Sequence, residues 1–305
     1  MWYNANNRRT DLAKLKAVQT LTRQERMHKE DLRRLREFRL MDDDFLTKCF
    51  EDSPESVEFV LRIVLEKPDL KVLEVHTQVF IENLLHRSVR FDVLATDDTG
   101  ARINIEIQRE DRGAGCRRAR YNSSMMDVGL LQKGESFEDL PETWVVFITE
   151  NDVMGKGRPL YRFERSDVET GEKLGDGSHI LYVNGAYRGD TPVGKLMHDF
   201  KCTDPSDMHY EILAERTRFF KESKEGVLTM CRSMEKMREE SLREGMEQGI
   251  KQGMKQGLKQ GMENNRVANV AALMKNMSVS AEKAMELLGI PAEERDALAK
   301  KVVLS

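Results

Sequence analysis

The stretch RFDVLATDDTGARINIEIQRE, residues 90–110, constrains the fold more than any other part of the chain. Its second half, Ile103-Asn104-Ile105-Glu106-Ile107-Gln108, alternates a branched apolar residue with a polar one. That is the period of a strand with one face buried. Between it and the preceding apolar run lies Asp97-Asp98-Thr99-Gly100. A three-residue loop of Asp98-Thr99-Gly100, a type I turn followed by glycine in the left-handed region, pairs Asp97 with Ala101. This register sets Asp92 directly opposite Glu106, on the face that also carries Asn104 and Gln108. A two-residue loop pairs Asp92 with Ile105 instead and separates the acids; the placement of Gly100 favours the first.

Two directly opposed carboxylates repel unless a proton or a cation comes between them. A hard divalent cation resolves the conflict. Mg2+ accepts one or two carboxylates plus waters and keeps positions open for a phosphate oxygen. With Gln108 alongside, such a site suits hydrolysis of a phosphodiester. The same alternation also describes a half-exposed hairpin whose polar face only meets water, and spacing alone leaves both readings open.

Composition restricts the alternatives. At 305 residues, with 39% hydrophobic and 33% charged residues, the chain suits one main domain with long solvated helices attached. Its net charge of −4 selects no partner. The distribution is less even: Met1 to Arg39 holds eleven Lys/Arg against five Asp/Glu, a basic arm on an acidic body. The four cysteines have no CxxC spacing, and the six histidines form no H-x-x-x-H or His/Cys cluster, so neither a disulfide framework nor zinc is expected. The polar N-terminus and the lack of an 18-residue apolar run point to a soluble cytoplasmic protein with no membrane partner.

Along the chain, residues 10–38 read as one or two helices. FLTKCFEDSPESVEFVLRIVLEK gives two short helices broken at Ser53-Pro54, and VLEVHTQVF a first strand. CRRARYNSSMMDVGLLQKG is a helix ending at Gly134, TWVVFIT a buried strand, and helices dominate from Pro192. This mixed order predicts an α/β (α+β) core. The domains read as a basic helical arm over 1–38, a core over 39–225, a long helix with a glycine repeat over 226–265, and a small helical module over 266–305.

Asp92, thirteen residues, then Glu106-Ile107-Gln108 resembles the D-x(n)-(D/E)-x-K site of the PD-(D/E)XK nucleases. More narrowly, LMDDDFLTKCFED, the hairpin, RARYNSSMMD, YVNGAYRGDTPVGKLMHDFKCTDPSDMHYEILAERTRFFKE and the glycine-spaced tail are similar to the recombination-promoting nuclease (Rpn) family, often labelled PD-(D/E)XK family transposases. The likeness covers roughly residues 38–262. It implies a restriction-endonuclease-like fold, a mixed four-stranded sheet flanked by helices, and metal-dependent cleavage of double-stranded DNA. Carried over, Asp92 and Glu106 become metal ligands for Mg2+, with Mn2+ or Ca2+ as substitutes, and Gln108 takes the place of the motif lysine. Glutamine offers hydrogen bonds where lysine offers charge. The resemblance therefore leaves two readings: an endonuclease linked to recombination or mobile elements, or a catalytically weak or inactive nuclease-fold protein that binds DNA or assembles.

Further candidates surround this pair. Asp43 and Asp44 open a short helix, where acids favourably meet the helix dipole; Asp43 is also the candidate for a further metal ligand, and Glu82 a weaker one. Arg117, Arg120 and Tyr121, three and four residues apart, share a helix face suited to DNA phosphates, while Arg118 points elsewhere. Gly245, Gly249, Gly253, Gly257 and Gly261, each followed by Met, Ile or Leu, form a ladder expected to drive homo-oligomerisation or docking, or else a loose linker. The ELLGI turn beyond it looks like a helix-turn-helix, but Pro-Ala-Glu-Glu-Arg-Asp is too acidic to read DNA, which favours a small packing module.

Overall fold

The alternating stretch becomes the middle of a six-stranded sheet. The computed structural model describes residues 23–83, 87–109, 111–131 and 133–302, so most of the basic arm lies outside the described residues. The chain forms two units, Met1–Ser233 and Met234–Ser305.

In the first unit the strands are β1 (Val72–Ile81), β2 (Val89–Asp97), β3 (Arg102–Gln108), β4 (Thr143–Thr149), β5 (Leu160–Phe163) and β6 (Ser178–Asn184), ordered β1-β2-β3-β4-β6-β5. The pairs β1/β2, β2/β3 and β5/β6 are antiparallel, whereas β3/β4 and β4/β6 are parallel. The mixed sheet exceeds the expected four strands by two. The β2–β3 turn follows the three-residue form: Gly100 has φ +87°, its N–H donates to the Asp97 carbonyl at 3.1 Å, and the Asp97 N–H donates to the Ala101 carbonyl at 3.1 Å. The buried Asp97 carboxylate fixes the loop by accepting the N–H groups of Thr99 and Ala101 at 3.0 and 2.8 Å.

Helices α1 (Arg23–Glu37), α2 (Asp43–Phe50) and α3 (Pro54–Leu65) precede the sheet. α2 and α3 break at Ser53-Pro54 because proline suits a first helical turn and not an interior. α4 (Cys116–Leu130) is the crossover between the parallel strands β3 and β4, and it packs on β4 and β6. It stops short of the expected Gly134: Leu131 turns extended (φ −105°, ψ 136°), and Gly134, at φ +101°, serves a later turn. Met125 and Met126 of α4 pack with Val145, Phe147 and Tyr182, all buried; the Phe147 and Tyr182 rings stack at 5.4 Å. The apolar residues of β3, Ile103, Ile105 and Ile107, are buried on the opposite face. Each such aliphatic or aromatic side chain contributes about 1.5–3 kcal/mol by leaving water. Both faces of the central strands are thus covered, so a charged group on β3 sits in the interior.

α5 (Pro192–Asp199) and α6 (Glu211–Glu222) complete this unit, and α7 (Lys224–Met277) runs from it into the second. The helix continues beyond the glycine repeat to Met277, since RVANVAALMKNM is rich in helix formers. In the second unit Val270 packs with Ala284 and Met285 of α8 (Ala281–Leu287), Ile290, and Leu298 of α9 (Ala292–Val302). Among the described residues no helix is long and apolar enough to cross a membrane.

Candidate active site

The hairpin register brings the acids together. Val93 pairs with Ile105, Leu94 with Asn104 and Ala95 with Ile103, and the next position along is Asp92 opposite Glu106. The backbone ladder stops there for a local reason, because the Ile107 N–H donates to Asp92 Oδ2 at 3.1 Å. Asp92 is 6% exposed and Glu106 fully buried. Glu106 Oε1 accepts from Asn104 Nδ2 at 3.0 Å, and Oε2 accepts from Arg118 Nη2 at 2.8 Å. Asn104 Oδ1 is buried without a hydrogen-bond partner.

Asp43 arrives from a different element. It sits in the first turn of α2, whose start is held by ion pairs from Arg39 to Glu150 at 2.9 Å and from Arg109 to Asp42 at 2.9 Å. Thr47, one turn on, donates to Asp43 Oδ1 at 3.4 Å and accepts from Gln78 Nε2 at 3.1 Å. Gln78 lies in β1 between the pairs Thr77–Val93 and Val79–Phe91, hence opposite Asp92, and its φ of 54° is left-handed. A non-glycine residue held there costs about 1–2 kcal/mol. The strain is therefore placed beside the acids.

The acids perturb one another. Burial, then the charges of Glu106 and Asp43, push the Asp92 carboxyl up to about 8. Burial raises Glu106 as well, against the Asn104 hydrogen bond and the Arg118 charge. Asp43 is raised by burial and then by Asp44, and Asp44 by burial, with Arg90 opposing both. Above them opens a cleft of about 860 Å³, with Asp43, Asp92 and Gln108 in its wall and Arg87, Arg90, Arg117, Arg118 and Arg120 also lining it. Gly113 fits Gln108 closely: a Cβ on it would fall 1.7 Å from Gln108 Oε1.

The structure thus sets Asp43, Asp92, Gln108, Arg117, Arg120 and Tyr121 around one cleft, with Glu106 buried beside Asp92. Tyr121 donates its hydroxyl to the Arg87 carbonyl. Arg118 corrects the sequence reading, for it does not point away. It reaches from the first turn of α4 over the Phe147 ring, 5.9 Å from its centroid, onto Glu106. Spacing along one helix shows which residues share a face but not which strand lies beneath it. Glu82 is exposed and does not line the cleft. Asn104 and Gln78 carried no sequence signal beyond polarity at a strand position.

The fold also brings together a His/Asp group that the sequence spacing of histidines did not suggest. His198, Asp199 and His209 offer ligand atoms within 4.8 Å of one another, with Cys202 beside His198, because the segment after α5 folds back on its end.

The oxygen donors here are the Asp43 and Asp92 carboxylates and the Gln108 amide in the cleft wall, with the Glu106 carboxylate and the orphaned Asn104 Oδ1 buried nearby. Oxygen donors fit a hard cation such as Mg2+, Mn2+ or Ca2+, and a divalent charge would offset the crowding that lifts Asp92. No curated protein and no solved structure matches the chain. Residues 58–186, the stretch holding Asp92, Asn104, Glu106, Gln108 and Arg118, match the family model of the PD-(D/E)XK nuclease family transposases.

Proposed function

We propose that the chain is an endodeoxyribonuclease that hydrolyses phosphodiester bonds of double-stranded DNA with a divalent cation, Mg2+ foremost, in recombination or mobile-element processes. The observation that carries this reading is the convergence of Asp43 and Asp92 in the wall of an arginine-lined cleft, with Glu106 buried beside Asp92. Asp92 and Glu106, with Asp43, hold the cation, which when bound supplies Lewis-acid polarisation of a phosphodiester oxygen and acidifies a water. Gln108 orients that water through its amide. Arg118 brings the positive charge that Gln108 lacks relative to the motif lysine, and a fixed charge in a water-poor site stabilises the developing phosphorane charge. Arg117, Arg120 and Tyr121 hold flanking phosphates, contacts that position DNA without reading its sequence.

One observation favours a second reading. Arg118 already occupies Glu106 Oε2 at 2.8 Å, which neutralises one ligand as a structural ion pair would. On that reading the nuclease fold binds DNA or assembles without efficient cleavage.

Supercoiled-plasmid nicking by the purified chain with Mg2+, Mn2+, Ca2+ or EDTA, beside Asp92→Ala and Glu106→Ala, separates the two. Nicking that needs the cation and disappears in both variants supports the enzyme. Salt-sensitive DNA binding by the folded chain with no nicking above the variants supports the second reading.

A further inference from the structure

The cluster at the end of α5 lies in a part of the chain to which the acidic cleft assigns no role. Asp199, the last residue of α5, is fully buried, and its carboxylate accepts the N–H of His209 at 2.8 Å on Oδ1 and the N–H of Tyr210 at 2.8 Å on Oδ2. These bonds pull residues 209–210 back onto the helix end. His198 Nδ1 then lies 3.3 Å from Asp199 Oδ1, and the rings of His198 and His209 come within 4.6 Å, centroid to centroid. Cys202, four residues after His198, places its Sγ 3.5 Å from His198 Nδ1.

His198, Asp199 and His209 present ligand atoms within 4.8 Å of one another, and Cys202 approaches this set through His198. With Zn–N of about 2.05 Å and Zn–S of about 2.3 Å at tetrahedral angles, an N···S edge comes to about 3.6 Å and an N···O edge to about 3.3–3.4 Å. The observed 3.5 and 3.3 Å, both from His198 Nδ1, match two of the six edges of such a tetrahedron, and a small side-chain movement of Cys202 would complete the set. A carboxylate has four lone-pair directions, so Asp199 keeps capacity for a cation after accepting two N–H bonds. Ligating carboxylates are themselves commonly hydrogen-bonded in this way. The donor set of two imidazoles, one thiol and one carboxylate is also the chemical opposite of the all-oxygen cleft, and it selects a borderline transition cation over Mg2+.

We propose that His198, Asp199, Cys202 and His209 form a Zn2+ site that staples the end of α5 to the segment leading into α6. The cation ties residues 198–199 to 202 and 209 across a loop that hydrogen bonds otherwise close. The site is structural, and it is independent of whether the cleft cleaves DNA.

The test is metal binding to the full chain, stripped with chelator and held in excess Mg2+ to occupy oxygen sites. Zinc content after desalting is measured, and Co2+ is titrated as a spectroscopic probe. The expected result is one Zn2+ retained per chain, a thiolate-to-Co2+ charge-transfer band, and a higher melting temperature with Zn2+ than with chelator. Cys202→Ser, a near-isosteric change, loses the band and weakens Zn2+ binding about 10- to 100-fold, while the far-ultraviolet circular dichroism stays that of the wild type. His209→Ala weakens Zn2+ binding similarly. A wild-type chain that retains no Zn2+ and gives no band overturns the site, as does a band that persists in Cys202→Ser.

Discussion

Replacing Asp92 with asparagine should stabilise the cation-free protein in alkaline solution while removing its chemistry. The amide oxygen of the new side chain keeps an acceptor for the Ile107 N–H, 3.1 Å from Asp92 Oδ2, so the change deletes a charge and little else. The Asp92 carboxyl is pushed from an ordinary 3.8 up to about 8, by burial first and then by Glu106 and Asp43. Between those two values the native chain holds a proton that the unfolded chain has released. Unfolding stability therefore falls as pH rises through that window, and the loss is complete above about pH 8. Four pKa units set a ceiling of about 6 kcal/mol at about 1.4 kcal/mol per unit. Because Asp43, Asp92 and Glu106 share the proton, we expect roughly 2–4 kcal/mol to be recovered by Asp92→Asn alone.

The assay is urea denaturation in EDTA at pH 4.5 and pH 8.5, followed by the fluorescence of Trp144, which is 7% exposed in β4. A Trp2→Phe background leaves Trp144 as the reporter, since the chain has two tryptophans. The variant should lie close to the parent at pH 4.5 and exceed it at pH 8.5 by roughly 2–4 kcal/mol in the free energy of unfolding. Added Mg2+ should close the gap by stabilising the parent alone. A variant less stable than its parent at pH 8.5, or a parent whose stability is flat between pH 4 and 8, would refute the crowded-acid account.

Other perturbations test separate parts. Arg118→Met removes the 2.8 Å bond to the buried Glu106 and should cost about 1.5–3 kcal/mol in urea; in the enzyme reading it also lowers nicking about 100-fold, with partial rescue by Arg118→Lys. Gly113→Ala drives a Cβ into Gln108 Oε1 and should lower the nicking rate about 100-fold with little change in DNA affinity; an unchanged rate would remove Gln108 from the chemistry. Lys221, which donates to the carbonyls of Arg36, Phe38 and Thr203, is pushed down to about 8 by burial, so stability should rise as pH climbs from 8 towards 10.5, a rise that Lys221→Met abolishes in a pH series of melting curves. Alanine at Gly245, Gly249, Gly253, Gly257 and Gly261 meets no atom within 4 Å, so each replacement should stabilise the helix by about 0.8–1 kcal/mol by circular dichroism; loss of a dimer in sedimentation would instead show a second copy packed on the ladder.

The parts of the fold legible in the sequence were those set by local periodicity and turn chemistry. The alternation over Ile103–Gln108, with glycine at position 100, carries the hairpin register to the residue, because a one-residue slip would turn Ile103, Ile105 and Ile107 out of the core. Ser53-Pro54 likewise marks the α2–α3 break. What stayed illegible depends on packing between distant elements. Helix spacing separates Arg118 from Arg117 in the string CRRAR but favours the wrong one, and only the ion pair from the first turn of α4 to Glu106 on β3 selects Arg118. Gln78 reads as an ordinary polar strand residue, yet the register sets its left-handed backbone opposite Asp92. His198 and His209 are too far apart for any short metal motif, and the Asp199 carboxylate that draws them together becomes visible only in the folded segment.

These two classes of information meet in one consequence for the acidic cleft. The covered faces that make the sheet stable are the reason Asp92 and Glu106 are costly, since a carboxylate on an exposed strand would keep its ordinary titration. The chain offsets part of that cost with Asn104 and Arg118 on Glu106 and the Ile107 N–H on Asp92, and leaves the rest as a proton on Asp92. A divalent cation competes with that proton, so cation affinity at the cleft must rise with pH towards about 8, where Asp92 ionises. The same pH that weakens the empty protein therefore strengthens its hold on the cation. Calorimetric titration of Ca2+ at about pH 6 and about pH 8.5 should give the tighter binding at the higher pH, with proton release at the lower. Equal affinities would mean that Asp92 is ionised throughout and that the crowding of the three acids is already relieved from within the chain.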